Sequence, residues 1–136
     1  MASTFRLQIV APDRMFYEDE VESLVVTTPE GQMGILAKHL PIVAPLAIGK
    51  IKIKKGGQLK EAAAFGGFIQ VETEFTRIVT DSAEWPEEID IERAEAAKKR
   101  AEEMLKSRKS HVDIMRAEAA LQRALIRLKM ARRHNV

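Results

Sequence analysis

Four arginines in the last third of the sequence have spacings that allow them to meet. Arg93 and Arg100 are seven residues apart and Arg123 and Arg127 are four apart, so each pair shares one face of a helix. If two such helices pair antiparallel about a turn near Ser110, the level of Arg93 lies near that of Arg127. Guanidinium groups donate forked hydrogen bonds to carboxylates and phosphates, so four of them predict a site for a polyanion.

The same spacing allows a second interpretation. Arginines on a helical hairpin can be solvated while their aliphatic stems shield an apolar seam. In the first interpretation a bound anion would relieve the repulsion between the arginines and favour the folded hairpin. Asp90 could then orient an amino group of the ligand or pair with an arginine. Spacing alone leaves both interpretations open.

The helices that carry these arginines are predicted from composition and periodicity. After Ile89 the sequence contains no Gly or Pro and is rich in Ala, Glu, Lys, Arg and Leu. Asp90 is the predicted amino-terminal cap, and residues 107–110 the predicted turn. Apolar residues recur at steps of three and four, which predicts a seam. Its members are Ala94, Ala97, Ala101 and Met104, followed by Ile114, Ala117, Leu121, Ala124, Leu128 and Ala131.

Alanine dominates this predicted seam. Alanine lets helices approach closely but buries little apolar area, and burial contributes only about 25 cal/mol per Å². The hairpin is therefore expected to be marginally stable and able to open. The alternative is a static helical cap.

The first 84 residues are predicted to form a β-sandwich or barrel, because short alternating or β-branched segments are separated by turn residues. Lys55-Gly56-Gly57-Gln58 is typical of a hairpin turn. Gly66-Gly67 predicts a bend or a close approach of the backbone. The predicted strands are residues 5–10, 21–28, 32–36, 48–53, 59–65, 68–72 and 75–80.

Composition and missing motifs exclude several classes of protein. The chain of 136 residues has no cysteine, which rules out disulfides and thiolate metal sites. No apolar run approaches ~18 residues and the start lacks a signal peptide, so we expect a cytoplasmic protein without membrane insertion. No phosphate-binding loop or nucleophile elbow is present. His39, His111 and His134 lack zinc spacing, and His39 is expected to be structural or at an interface. Catalysis by this chain is not expected.

Charge is distributed unevenly along the sequence. Residues 1–89 carry nine basic and thirteen acidic residues, a net charge of −4, whereas residues 90–136 carry thirteen and seven, a net charge of +6. From Ala119 onward there are five basic residues and no acidic one. Such a helix end suits an acidic partner surface, although a solvated basic face is the alternative. No nucleic-acid partner is expected, because interleaved aromatics and binding motifs are missing.

Three stretches of the sequence resemble the epsilon-subunit family of bacterial F-type ATP synthases, and the resemblance covers essentially the whole chain. Residues 10–13, Val-Ala-Pro-Asp, with residues 17–21, Tyr-Glu-Asp-Glu-Val, resemble the first hairpin of the family. Residues 31–41 match Gly-x-x-Gly-Ile-Leu-x-x-His-x-Pro, and Gly66-Gly67-Phe68 matches a further segment.

The resemblance implies a ten-stranded β-sandwich over residues 1–84, a linker over 85–89 and a regulatory helical hairpin over 90–136. The sandwich would dock on the gamma subunit and the ring of c subunits, at the cytoplasmic face of the cell membrane. The extended helices would reach the alpha and beta subunits and inhibit ATP hydrolysis. A non-catalytic rotor subunit that couples rotation to proton transport is thus implied. The alternative is a purely structural coupling subunit with a permanently folded hairpin.

Some bacterial members of that family bind ATP on the compact hairpin through the pattern Ile-Asp-x-x-Arg-Ala. No cofactor is required, and ATP, with or without magnesium, is the implied regulatory ligand. The agreement with the arginine spacing favours the nucleotide site over solvated arginines. The implied site residues are Glu84, Ile89, Asp90, Arg93, Ala94, Arg100, Arg123 and Arg127.

Overall fold

The computed structural model describes residues 3–107 and 110–134, apart from the side chains of residues 133 and 134. The chain divides into two compact units, Met1–Glu84 and Trp85–Val136. The first consists of strands and the second of helices. The predicted fold class, a β-sandwich followed by a two-helix hairpin, is confirmed.

Ten strands build the first unit, and they form two five-stranded sheets. Sheet A has the order β2-β1-β9-β8-β5, and sheet B has the order β10-β7-β6-β3-β4. Strands β1 and β9 pair parallel, while the other pairs are antiparallel. The strands are β1 (Phe5–Ala11), β2 (Arg14–Val21), β3 (Ser23–Thr28), β4 (Gly31–Leu36), β5 (Ile42–Pro45), β6 (Ile48–Lys55), β7 (Gln58–Phe65), β8 (Phe68–Val71), β9 (Phe75–Val79) and β10 (Ala83–Glu84).

The core follows from alternation along these strands. Leu7 and Ile9 of β1 and Ile51 and Ile53 of β6 are at most 1% exposed, while the residues between them face outward. Because side chains alternate between the two faces of a strand, each sheet turns one apolar face towards the other sheet. The alternation that predicted β1 and β6 is therefore the feature that builds the sandwich.

Strand periodicity missed β2, β5 and β10. The predicted strand 21–28 is wrong at its start, because Val21 ends β2 and Ser23 begins β3. Strand β2 carries a run of acidic residues between the buried Phe16 and Val21, and this run obscures the alternation of apolar and polar residues in the sequence. Strand β5 has four residues and a proline at its end, and β10 has two residues. Such short strands depend on tertiary pairing rather than on their own sequence.

An ion pair joins the two sheets at one end of the sandwich. The Lys55 ammonium donates a hydrogen bond to the Asp19 carboxylate, which links β6 of sheet B to β2 of sheet A. This bond lowers the pKa of Asp19 below its ordinary value and raises the pKa of Lys55. Lys55 is thus occupied within the sandwich, and its charge is balanced.

Both predicted glycine turns are confirmed. Gly56 and Gly57 have φ angles of 58° and 77°, the positive values of the two-residue turn that joins β6 to β7. Gly66 and Gly67 separate β7 from β8 with φ angles of 83° and 108°. A Cβ atom on Gly67 would lie 2.0 Å from the backbone oxygen of Val79. The Gly66-Gly67 pair is therefore both a bend and a close backbone approach.

The second unit begins with a short 3-10 turn at Pro86–Glu88, followed by helix α1 (Ile91–Ser107) and helix α2 (His111–His134). The two helices contact each other along their length, and the 3-10 turn contacts α2. The predicted turn at 107–110 includes residues 108 and 109, which lie outside the described residues. In the described part of the chain, no helix is long and apolar enough to cross a membrane.

Substitution of Gly67 by alanine should destabilise the sandwich by about 2 to 4 kcal/mol, because it adds a backbone clash to an unfavourable positive φ. Urea unfolding followed by circular dichroism measures the change. Gly34→Ala is the matched control, since a Cβ there meets nothing within 4 Å. Equal stability of the two variants would contradict this account of the bend.

Candidate functional site

Helix α1 begins where the sequence predicted its cap. The Asp90 Oδ1 atom accepts a hydrogen bond from the backbone N–H of Arg93 at 3.1 Å, which satisfies one of the free donors of the first turn. Ser110 caps α2 in the same way, with its Oγ atom 3.1 Å from the backbone nitrogen of Asp113. The predicted cap is confirmed, and one carboxylate oxygen of Asp90 is engaged by the backbone.

An alanine-rich seam joins the two helices. On α1 the buried residues are Ala94 and Ala101, while Ala97 is half-buried and Met104 is 45% exposed. The predicted seam is therefore correct at its centre and wrong at Met104. Helix α2 contributes six seam residues, of which Ile114 and Leu121 are half-buried and four are buried: Ala117, Ala124, Leu128 and Ala131.

Each of the four predicted arginines directly precedes a buried seam residue in the sequence: Arg93 before Ala94, Arg100 before Ala101, Arg123 before Ala124 and Arg127 before Leu128. One residue corresponds to a rotation of about 100° around a helix. Two antiparallel helices that pack against each other are related by a two-fold rotation about an axis perpendicular to the plane that contains both. This rotation reverses the chain direction and exchanges the helices, but it keeps each side chain on the same side of that plane. Residues that directly precede a seam residue therefore lie on one and the same side of the hairpin, whichever helix carries them. We call this the arginine side of the hairpin.

A contact on the opposite side supports this geometry. Glu95 and Arg132 each directly follow a buried seam residue, so the same argument places both on the other side of the hairpin. An Arg132 Nη atom donates a hydrogen bond to a Glu95 carboxylate oxygen. The pair ties α1 to α2 on the side away from the four arginines.

The four arginines are spread along the hairpin over a distance that a small polyanion can span. Arg93 lies fourteen residues before the end of α1 at Ser107, and Arg127 lies sixteen residues after the start of α2 at His111. Arg100 and Arg123 lie seven and twelve residues from the same ends. At ~1.5 Å per residue the four α-carbons cover about 14 Å along the hairpin.

Two small residues lie between these arginines. Ala97 and Ala120 occupy half-buried positions that are turned from the seam towards the arginine side, four residues before Ala101 and Ala124 respectively. Short side chains there leave room above the helix backbones. Sequence reasoning placed Ala97 in the seam and missed Ala120. The signal that could have found Ala120 is its spacing of four from a seam residue.

Two of the predicted site residues, Ile89 and Glu84, lie outside the two helices. Ile89 is half-buried and ends the 3-10 turn, with its N–H bonded to the Pro86 carbonyl oxygen at 3.2 Å. Glu84 belongs to the sandwich unit, where it pairs with Ala63 between β10 and β7. Asp90, Ala94 and the four arginines all belong to the helical unit, Asp90 and Ala94 at the start of α1. Over the described residues, no group of three acidic, histidine or cysteine side chains could hold a metal ion.

A second candidate surface lies on the sandwich, in the apolar stretch of residues 35–46. Ile35 and Leu46 are buried at its two ends, while Leu40 and Val43 are 80% and 69% exposed. Strand register places Phe68, which is 44% exposed, next to Pro45. Clusters of exposed apolar residues mark interaction sites on many proteins, so this stretch is a candidate contact surface.

Family models match both units of the chain. Residues 4–86 match the β-sandwich domain of the ATP synthase delta/epsilon chain, and residues 87–132 match its long α-helix domain. The chain belongs to the ATP synthase delta/epsilon chain family. The prediction of an epsilon-type subunit of the ATP synthase central stalk is thereby confirmed.

Individual proteins support the same assignment. The chain is 64% identical over 105 residues to an ATP synthase epsilon chain of Alkaliphilus oremlandii, covering 77% of this chain and 78% of that one. It is 52% identical over 111 residues to the epsilon chain of Caldanaerobacter subterraneus, covering 81% and 80%.

Solved structures show the same fold. A chain in the OSCP/F1/c-ring assembly of the Euglena gracilis mitochondrial ATP synthase matches with a TM-score of 0.81 and 28% identity, over 92% of this chain and 79% of that one. A chain of the Tetrahymena thermophila central stalk and c-ring matches with a TM-score of 0.63 at 14% identity, over 96% and 98%, and supports the fold alone.

Asp90→Ala should lower the stability of helix α1 by about 1 kcal/mol, because the Arg93 N–H loses its side-chain acceptor. Hydrogen exchange of the first turn of α1 measures the effect. Asp90→Ser is the matched control, since serine also caps, and it should preserve most of the protection. Identical protection in the alanine variant and the wild type would show that the cap contributes nothing.

Proposed function

We propose that this chain is a non-catalytic rotor subunit whose helical hairpin senses ATP and controls ATP hydrolysis by the assembled ATP synthase. The observation that carries the proposal is the arginine side of a hairpin whose seam is rich in alanine. Such a side attracts a polyanion, and such a seam is weak enough for the anion to affect the folded state.

The ligand we propose is ATP, with or without magnesium. Its phosphates would accept hydrogen bonds from Arg93, Arg100, Arg123 and Arg127, and the small Ala97 and Ala120 would leave room for the rest of the molecule. Ile89, Ala94 and Glu84 complete the set that the family resemblance implies. Asp90 caps α1 through its Oδ1 atom, and its other carboxylate oxygen would accept a hydrogen bond from an amino group of the ligand.

Ligand binding would shift the equilibrium between the compact and the open hairpin. A ligand at 100 times its dissociation constant stabilises the form that it binds by about 2.7 kcal/mol, if it binds only that form. Ligand-induced shifts of this size change a near-balanced two-state equilibrium strongly. ATP would therefore hold the hairpin compact when it is abundant and release it when it is scarce.

The sandwich is the proposed docking module. We propose that the exposed stretch of residues 35–46 contacts the gamma subunit and the c subunits, at the cytoplasmic face of the cell membrane. The released helices would contact the alpha and beta subunits through the basic end of α2. A purely structural subunit with a fixed hairpin remains the rival function, and it predicts no response to ATP.

The full-length isolated chain should bind ATP without hydrolysing it. Arg123→Gln or Arg93→Ala should weaken binding about tenfold or more, since hydrogen bonds to charged groups contribute about 1.5–3 kcal/mol. Asp90→Ala should weaken it as well. Lys129→Gln is the matched control, because Lys129 follows a seam residue and lies on the opposite side of the hairpin from the arginines.

Isothermal titration calorimetry measures these affinities, and phosphate release measures hydrolysis. Failure of the wild-type chain to saturate at millimolar ATP in both calorimetry and NMR would overturn the nucleotide site. Equal losses in Arg123→Gln and Lys129→Gln would show that only overall charge matters.

Truncation after Glu88 should leave assembly with the rotor and coupling largely intact, because the sandwich has its own core. Val43→Asp in the full chain should impair assembly, whereas Met15→Asp, at an exposed apolar residue on another strand, should not. Co-purification with gamma and c subunits measures the outcome. A folded truncated chain that fails to co-purify would contradict the docking role.

Neutralising the basic end of α2 should raise ATP hydrolysis by the assembled enzyme, because the inhibitory contact is proposed to be electrostatic. Deleting residues 90–136 should raise it at least as much, and Lys98→Gln with Lys99→Gln on α1 is the control. Unchanged rates with normal assembly would leave the helices without this role. The residues to be changed to Gln are Arg123, Arg127, Lys129, Arg132 and Arg133, of which the last has a side chain outside the described residues.

A further inference from the structure

On the outer face of sheet B, a row of cross-strand neighbours combines exposed apolar side chains with a lysine. These side chains do not contribute to the core of the sandwich. Strand register aligns Leu36 on β4, Ser23 on β3, Lys54 on β6 and Leu59 on β7 as direct cross-strand neighbours. Leu36 and Leu59 are 65% and 59% exposed, so the row presents apolar side chains on both sides of a cation. Strands lie about 4.8 Å apart, which makes the row roughly 14 Å wide.

The lysines of β6 differ in how their charges are balanced. Lys50 forms an ion pair with Glu61 at 3.2 Å, and Lys55 is bonded to Asp19. Lys52 and Lys54 point outward from alternate positions of the same strand, and among the described residues neither side chain has an ion pair. Lys52 lies opposite Glu61 of β7, whose carboxylate pairs with Lys50, so Lys52 and Lys54 present outward charges that an external carboxylate can meet.

A groove of about 400 Å³ adjoins this row. Its walls combine the apolar Leu36 and Ala37 with Lys54 and the hydroxyls of Ser3 and Ser23. Glu22 also lines it, but its Oε1 atom accepts a hydrogen bond from the Gly57 N–H at 3.1 Å and is thus engaged by the β6–β7 turn. The groove is large enough for one apolar side chain, with a cation at its edge.

We propose that the Lys52–Lys54 surface, formed by Lys52, Lys54, Leu36, Leu59 and this groove, binds an acidic and partly apolar segment of a partner protein. Carboxylates of the segment would pair with Lys52 and Lys54, and an apolar residue between them would enter the groove beside Leu36. The segment is expected to be acidic because its charge must complement the two lysines. It is expected to be partly apolar because Leu36 and Leu59 flank them.

The alternative occupant of a basic and apolar surface is an anionic bilayer. The sandwich unit, residues 1–84, carries nine basic and eleven acidic residues, a net charge of −2, so the unit as a whole is not attracted to such a bilayer. A short segment contacts only the local surface and avoids that repulsion. The inference does not depend on the nucleotide site, since all its residues belong to the sandwich. Leu36 and Ala37 of the groove also belong to the proposed docking stretch of residues 35–46, whereas Lys52, Lys54 and Leu59 lie outside it.

A capped ten-residue peptide of glutamate and leucine, titrated into the ¹⁵N-labelled full chain, tests the proposal. Amide shifts should concentrate at residues 23–25, 34–37 and 52–54, apart from any on the arginine side. A chain with Lys52→Glu and Lys54→Glu should bind about tenfold more weakly or worse. That variant should also bind a peptide of lysine and leucine better than the wild type does.

Lys98→Glu with Lys99→Glu on α1 is the control and should leave the sandwich shifts unchanged. If the glutamate variant fails to fold, Lys52→Gln with Lys54→Gln must show the same loss of binding. Absence of sandwich shifts at millimolar peptide, or shifts insensitive to these lysines, would overturn the proposal. Lysine-dependent sedimentation with phosphatidylglycerol vesicles, without peptide binding, would also overturn it by identifying a membrane surface instead.

Discussion

The alanine seam between α1 and α2 is the contact on which the helical unit depends. Ala94, Ala101, Ala117 and Ala124 let the two helices approach closely, and their spacing fixes which side chains lie on each flank of the hairpin. Once the seam is set, the arginines that precede its members lie on one side, and the Glu95–Arg132 pair lies on the other. One periodic pattern thus determines both the packing and the electrostatics of the hairpin.

The same seam supports the proposed regulatory role of the hairpin. The alanine methyls of the seam bury little area, so the two helices gain less free energy from their contact than a leucine seam would provide. The Glu95–Arg132 pair is exposed and contributes at most about 1 kcal/mol. Four arginines on one side of the hairpin repel one another, and the proposed anion would reduce that repulsion. A hairpin built with leucine at these positions would be held together whether or not a ligand was present.

The sandwich shows how far sequence reasoning extends. Alternation identified β1 and β6, and glycine pairs identified the turns at residues 56–57 and 66–67, because both signals are local. Strands β2, β5 and β10 escaped periodicity, since their pairing depends on neighbours distant in the sequence. Resemblance to a family supplied the strand number that periodicity lacked.

The candidate site divides in the same way. The Asp90 cap and the shared side of the arginines follow from helical spacing, and both could be predicted. The exposure of Met104 and the recessed Ala97 and Ala120 could not, because they depend on where the seam ends and how the helices are rotated. Spacing also could not reveal that, over the described residues, Lys50 and Lys55 form ion pairs while Lys52 and Lys54 form none, because the partners of Lys50 and Lys55 lie on other strands.

The central claim is that ATP on the arginine side holds the two helices together. The chain has no cysteine, so spin labels can be attached at Lys99→Cys on α1 and Lys129→Cys on α2 without competing thiols. Double electron–electron resonance then reports the distance between the helices in the isolated chain. We expect ATP to narrow the distribution to a single short distance, and Arg123→Gln to abolish that response. Identical distributions with and without saturating ATP would contradict the account.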